Sequence, residues 1–241
     1  MLMSPLDGVE FLPEYPELAG RRVLVSGVQG AIGVELVRML AEQRASLVLA
    51  AAAPSPELQA LAEIVAPDAM ELRLYTGPFA DHEAMIRLAR TAVQALGGID
   101  IVINLAEVGE PPANSSESDI AGMVTALLAL PCLVSRIAAN RMRTTLTQGA
   151  IINVVTSAPG ASARARLVAN IARSAIAALT RTEAHNHAKD GLRINAIAPA
   201  DVLAGRGNCI TGAPDIATLA LHLASGRGHD LSGLVFEAYA G

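Results

Sequence analysis

Val23-Leu24-Val25-Ser26-Gly27-Val28-Gln29-Gly30-Ala31-Ile32-Gly33 decides the fold of this chain. An apolar run reads as a strand, the glycines as a tight turn, and the residues after Ile32 as a helix over 31–43. A strand that turns sharply into a helix aims the first helical amides at an anion, the arrangement that holds a dinucleotide pyrophosphate. The glycine cluster alone is a weak signal. Its flanking strand and helix make it good evidence for fold and moderate evidence for a ligand.

Working outward, short apolar runs alternate with helical patterns from end to end. The strand candidates are RVLVSG, SLVLAA, ELRLY, DIVINLA, AIINVVT, LRINAIAP and LVFEAY. Helices are expected near 31–43, 56–65, 81–96, 118–140, 162–188 and 214–225. Val- and Ile-rich runs without polar alternation suit parallel strands buried on both faces. Strand–helix alternation then predicts one α/β domain: a Rossmann-like, doubly wound parallel sheet of about seven strands flanked by helices. It spans 18–241, behind an N-terminal extension at 1–17. That extension holds Phe11 and Tyr15, two of only six aromatics. It reads either as a tail tucked on the surface or as an arm that docks on another subunit.

Bulk properties exclude several classes. With 241 residues, 52% hydrophobic and 17% charged, the chain can bury a full core and is not a disordered protein. A net charge of −5 gives no reason to expect nucleic acid or an anionic membrane surface as partner. Cys132 and Cys209 form no close-spaced motif, which fits a reduced, cytoplasmic protein. The first 20 residues carry Pro and acids where a secretion signal would carry basic and then apolar residues. The most apolar stretch, 120–134, is short for a bilayer span and is expected to be a buried helix. His82, His185, His187, His222 and His229 complete no cluster of metal ligands, so no metal is expected.

The glycine turn resembles the Thr-Gly-x-x-x-Gly-x-Gly motif of the short-chain dehydrogenase/reductase family. Gly27 and Gly33 match, Ser26 replaces Thr, and Ala31 stands at the middle glycine with Gly30 one residue early. The segment from Val168 to Ala184 resembles the family's long helix, which carries Tyr-x-x-x-Lys ahead of Leu-Thr-Arg. Aligned on Leu179-Thr180-Arg181, the Tyr position holds Ala169 and the Lys position Arg173. The catalytic Ser position holds Thr156. The Asn position holds Leu127, in a helix registered by Pro131 and Ser135-Arg136. The resemblance covers residues 18–241.

This resemblance implies a scaffold whose chemistry has eroded. The family's proton donor is absent at Ala169, and Arg173 keeps a charge but cannot deprotonate. Thr156 keeps a hydroxyl that could equally satisfy a strand end. Elsewhere, β-strand two ends Leu49-Ala50-Ala51-Ala52-Ala53-Pro54, with neither an acid for an NAD ribose nor a base for an NADP phosphate. The family's Asp after the third strand becomes Pro78. Its Asn-Asn-Ala-Gly becomes Asn104-Leu105-Ala106-Glu107, which sets a carboxylate where an anionic ligand would lie. Its Pro-Gly and Thr become Pro199-Ala200 and Ala204, and the substrate-covering segment shrinks to a short loop before Pro214.

The expectation is therefore no bound cofactor. NAD(P) remains the alternative, held by Ser26, Gly27, Gly30, Ile32, Gly33 and Asn104. Asp100, Asn153 and Arg193-Ile194-Asn195 match positions that brace the family's strand ends. Members assemble through the helices that correspond here to 118–140 and 162–188. The resemblance thus implies a non-catalytic subunit, a pseudoenzyme without activity of its own. It would pair with an active paralogue, or with itself, in a hetero-oligomeric dehydrogenase; enzymes acting on hydroxyacyl-CoA are among the candidates. A divergent NAD(P)-dependent oxidoreductase and a regulatory Rossmann protein are the alternatives.

Overall fold

A computed structural model of the chain describes residues 15–51, 53–77, 82–157, 161–199 and 212–237. Seven strands form one parallel sheet: β1 (Arg22–Ser26), β2 (Ser46–Ala51), β3 (Glu71–Thr76), β4 (Ile101–Val108), β5 (Ala150–Ser157), β6 (Arg193–Ile197) and β7 (Val235–Phe236). Their order is β3-β2-β1-β4-β5-β6-β7. The chain therefore winds outward from β1 in one direction and from β4 in the other. The crevice above the ends of β1 and β4 is the switch point at which such sheets bind ligands.

Both faces of the sheet are covered, with the period-two alternation of a strand. Val23, Val25, Ile101, Ile103 and Ile152 face a core built with α1 (Gly30–Glu42), α2 (Pro56–Val65) and α6 (Ala213–Ala224). Leu24, Val48, Val102 and Ile151 face α3 (His82–Gln94) and α4 (Glu117–Thr144) on the other side. Residues such as Ile103 and Ile152 are fully buried, each worth about 1.5–3 kcal/mol. A third cluster, under α5 (Ala163–His187), joins Val155, Val168, Ala172 and Ile176. The sheet tapers at its edges: β3 is partly exposed, and β7 is described over only two residues.

The expected helices are all present, with one substantive difference. The helix anticipated over 118–140 is the 28-residue α4. Ser116 starts it through a capping box: its Oγ accepts from the Asp119 amide, and the Asp119 carboxylate accepts from the Ser116 amide. Beyond residue 140 the helix continues because Met142 is completely buried against the core.

The expectation of a buried helix over 120–134 is corrected. Pro131, Leu133, Val134 and Ser135 are buried, but Ala121, Gly122, Thr125 and Ala126 are exposed and Met123, Val124, Leu127 and Leu128 are only half-covered. Only 22% of its most apolar window is buried, and α4 is long and apolar enough by length and composition to cross a bilayer. Its carboxyl-terminal half is instead packed into the domain. The uncovered half is thus an apolar face of a folded domain.

At the domain entrance, Tyr15 is 2% exposed and folds onto its own chain. Its amide donates to Gln43 Oε1 at 2.7 Å, its ring meets His222 edge-on, and the Arg227 guanidinium lies 4.8 Å from the ring centroid. This favours the tucked-tail reading for Tyr15, whereas Phe11 lies outside the described residues.

The foot of the sheet is pinned by Asp100. Its carboxylate accepts from the Arg22 amide and Nε, both at 2.9 Å, and from Arg22 Nη2 at 2.7 Å. Burial pushes this carboxyl's pKa up. The Arg22 side chain and amide, with the charges of Arg22 and Arg21, outweigh that and hold it below the usual value. A depressed folded pKa contributes stability that is full above the unfolded value of about 3.9 and is lost as pH falls through the folded value. Asp100→Asn should therefore cost about 1.5–3 kcal/mol at pH 7, toward the lower end because the Arg22 side chain is 32% exposed. Urea titrations at descending pH should show the gap between the two proteins closing below about pH 4. A gap independent of pH would remove the carboxylate from this role.

Candidate functional site

The site is assembled where β1 and β4 end. Gly27 follows β1 with φ +75°, and Gly30 opens α1 with φ +62°. Gly27 is irreplaceable for a second reason: a Cβ there would overlap the Leu105 carbonyl oxygen. Gly33 is buried, and a Cβ there would lie at ordinary contact distance from Val28 and Leu105. Ile32 is half-buried and packs on the core, while Ala31 is exposed.

Ser26 and Asn104 lie beneath the turn. Both are buried, and Ser26 Oγ donates to Asn104 Oδ1 at 2.7 Å. Asn104 Nδ2 donates to Ser135 Oγ and to Asn153 Oδ1, each at 2.9 Å, with the Pro131 carbonyl at 3.5 Å. These contacts tie β1, β4, β5 and α4 together through a satisfied buried polar network. Ser135 was legible only as a marker of register; its hydroxyl is a member of this network. Asn153, expected as a brace, is the partner of Asn104.

The neighbouring loop residue reaches the turn itself. A Cβ built on Gly30 would overlap Glu107 Oε2 and come within 3.2 Å of Cδ. The carboxylate of Glu107 therefore rests against the first residue of α1, in space that exists because residue 30 has no side chain.

Ala169 and Leu127 share one apolar cluster, and Arg173 reaches Ser157, next to Thr156. Thr156 is the second-last residue of β5 and is 7% exposed. Ala169 is fully buried among Ala106, Val155 and Ala172, inside the apolar cluster. Leu127, half-buried on α4, leans on the same cluster. Arg173 is 8% exposed; its Nη1 donates to Asn170 Oδ1 at 2.9 Å and its Nη2 to Ser157 Oγ at 3.4 Å. Ser157 and Asn170 were not singled out in the sequence; they emerge only because β5 and α5 bring them to Arg173. Pro78, Ala200, Ala204 and Cys209 lie outside the described residues.

The large open cavity lies elsewhere. About 830 Å³ opens at the foot of the sheet between Arg21, Asp100, Gln148, Arg181 and Arg193. Arg193 is committed there to structure, donating to the carbonyls of Leu223, Ala224, Ser225 and Gly228 at the end of α6. In an open α/β sheet the carboxyl ends of the strands carry the chemistry, so the turn at Gly27 to Gly33 is the candidate site. Among the described residues, no group of three His, Cys, Asp or Glu side chains could hold a metal ion.

A profile of the short chain dehydrogenase family matches residues 21–208. The chain belongs to this family. A cis-4-hydroxycyclohexanecarboxylate dehydrogenase of Sinomonas cyclohexanicum is 30% identical over 186 residues, 75% of this chain and 73% of that protein. Among solved structures, a short chain dehydrogenase from Mycobacterium smegmatis superposes with a TM-score of 0.77 at 22% identity, covering 93% of each chain. An NADH-dependent reductase complexed with NAD superposes at 0.75 with 19% identity, over 94% of this chain and 98% of that one. At that identity the likeness establishes the fold: a short-chain dehydrogenase scaffold, Rossmann-like and parallel.

Proposed function

We propose that this short-chain dehydrogenase family member is the non-catalytic subunit of a hetero-oligomeric dehydrogenase, joined to an active chain of the same fold. The observation that carries the reading is Ala169. It stands where the resemblance expects the tyrosine acid, has no ionisable group, and is sealed within the apolar cluster of Val155 and Ala172. A general acid contributes about 10²–10⁴ in rate, and no other tyrosine lies between 160 and 185 to replace it. The cofactor side agrees. Ala50, Ala51 and Ala53 at the end of β2 offer nothing to a ribose, and Glu107 rests on the turn, so this chain carries no NAD(P) of its own.

The partner is suggested by α4 and α5. The half-covered apolar side chains of α4 lie beside α5, whose Leu167 and Ile171 are 49% and 42% exposed. An apolar surface of this kind is characteristic of a protein interface. A chain of the same fold would offer the matching pair of helices.

A second reading, a divergent NAD(P)-dependent oxidoreductase, is favoured by one observation. Arg173 is buried with its guanidinium turned toward Ser157, beside Thr156. The relative named above is itself a dehydrogenase. Native mass spectrometry of the complex from its source cells separates the two. A hetero-oligomer with nicotinamide cofactor on the partner alone is the expected result. A homo-oligomer with cofactor on every chain would overturn the proposal in favour of the second reading.

A further inference from the structure

We infer that Glu107 is the residue that closes this chain's dinucleotide site, occupying with its own carboxylate the position over Gly30 that a pyrophosphate would need. The inference rests on the proposed cofactor-free state of the chain and names its cause.

Two independent features meet at this point. Residue 30 is a glycine in the left-handed region, φ +62°, at the first position of α1. The carboxylate of Glu107 fills the volume where that residue's side chain would stand. The pair interlocks: a side chain at 30 would expel the carboxylate, and a smaller residue at 107 would reopen the cradle. Glu107 is fixed from below because its strand, β4, pairs residue by residue with β5, Glu107 opposite Thr156. Its neighbours Ala106 and Val108 are anchored in the α5 cluster.

The electrostatics add to the obstruction. The unsatisfied amides at a helix start carry partial positive charge and favour an anion. In a dinucleotide-binding protein that anion is the ligand's phosphate. Here the Glu107 carboxylate stands against the first residue of that helix, so a pyrophosphate arriving at its amides meets both an occupied volume and a like charge. The bar is therefore local. Beneath it, the satisfied network of Ser26, Asn104, Ser135 and Asn153 keeps the ends of β1, β4 and β5 in place.

The test is dinucleotide binding by the full chain, in whatever assembly it purifies, with Glu107→Gly and Glu107→Gln beside the unaltered protein. Calorimetry with NAD, NADP and ADP-ribose reads affinity, and thermal melts confirm that each variant is folded. Glu107→Gly should bind at least one of the three at least tenfold more tightly than the unaltered chain, a change of about 1.4 kcal/mol. Glu107→Gln, which removes the charge and keeps the volume, should recover only part of that gain. If the unaltered chain binds a dinucleotide and Glu107→Gly binds it no more tightly, both this inference and the cofactor-free reading fall. If neither the unaltered chain nor folded Glu107→Gly binds any of the three, the cofactor-free reading stands and Glu107 is not its cause.

Discussion

Gly27→Ala should cost this protein about 3–4 kcal/mol of stability, at or above the upper end of the usual range for single substitutions. Two penalties add at one atom. Residue 27 sits at φ +75°, where an L-residue pays about 1–2 kcal/mol. The new methyl would overlap the backbone oxygen of Leu105, and overpacking adds about 1–3 kcal/mol. No rotamer change relieves the overlap, because the obstacle is a carbonyl in the central strand β4. The Gly27 amide also donates to the Ala50 carbonyl at 2.8 Å, so shifting the turn away from β4 strains its tie to β2. For a domain of this size the loss corresponds to a fall of about 6–16 °C in Tm. Gly109→Ala is the control: nothing lies within 4 Å of its added Cβ, and its effect should stay within about 0.5 kcal/mol. Equal melting of the two variants in urea and heat would mean that the turn yields without cost.

The same turn shows how far residue order alone carries. Val23 to Val25, Ile101 to Ile103 and Ile151 to Ile152 are legible as parallel strands because burial on both faces leaves no polar alternation. Helix starts are legible where local chemistry sets them, as at Ser116 and Ser162, whose hydroxyls accept from the third amide of their helices. Helix ends set by distant contacts are not, which is why α4 outruns its pattern to bury Met142. The apolar run of α4 carries a deeper ambiguity. Leu127, Leu128 and Val124 read in the sequence as a buried face, but the sequence does not say whether their own chain or another covers it, and in the fold they are only half-covered. The candidate site divides in the same way. The positions of Ala169, Arg173 and Thr156 come from the family resemblance, which aligns one element at a time. The meeting of Glu107 with Gly30, and of Asn104 with Ser135, depends on side-chain directions across one strand and two helices. No periodicity encodes those directions.

Ile171→Arg should dissociate the proposed assembly while leaving the chain folded. Ile171 is 42% exposed on α5, beside Leu167 at 49%, and neither belongs to the buried core. A substitution there should change the stability of the isolated chain by no more than about 0.5 kcal/mol. In an apolar interface the same guanidinium would be stripped of water without a partner, a penalty of several kcal/mol. A loss of about 2.7 kcal/mol already weakens association about 100-fold, enough to turn a complex seen at micromolar concentration into separate chains. Ile64→Arg supplies the comparison. Ile64 is 72% exposed on α2, on the opposite side of the sheet, where no apolar surface continues around it from α4. Light scattering on eluting protein should give the unaltered mass for Ile64→Arg and a single chain for Ile171→Arg, with matching melting curves. If Ile171→Arg keeps the full assembled mass, the partner does not sit on α5. The half-covered leucines of α4 would then need a different cover.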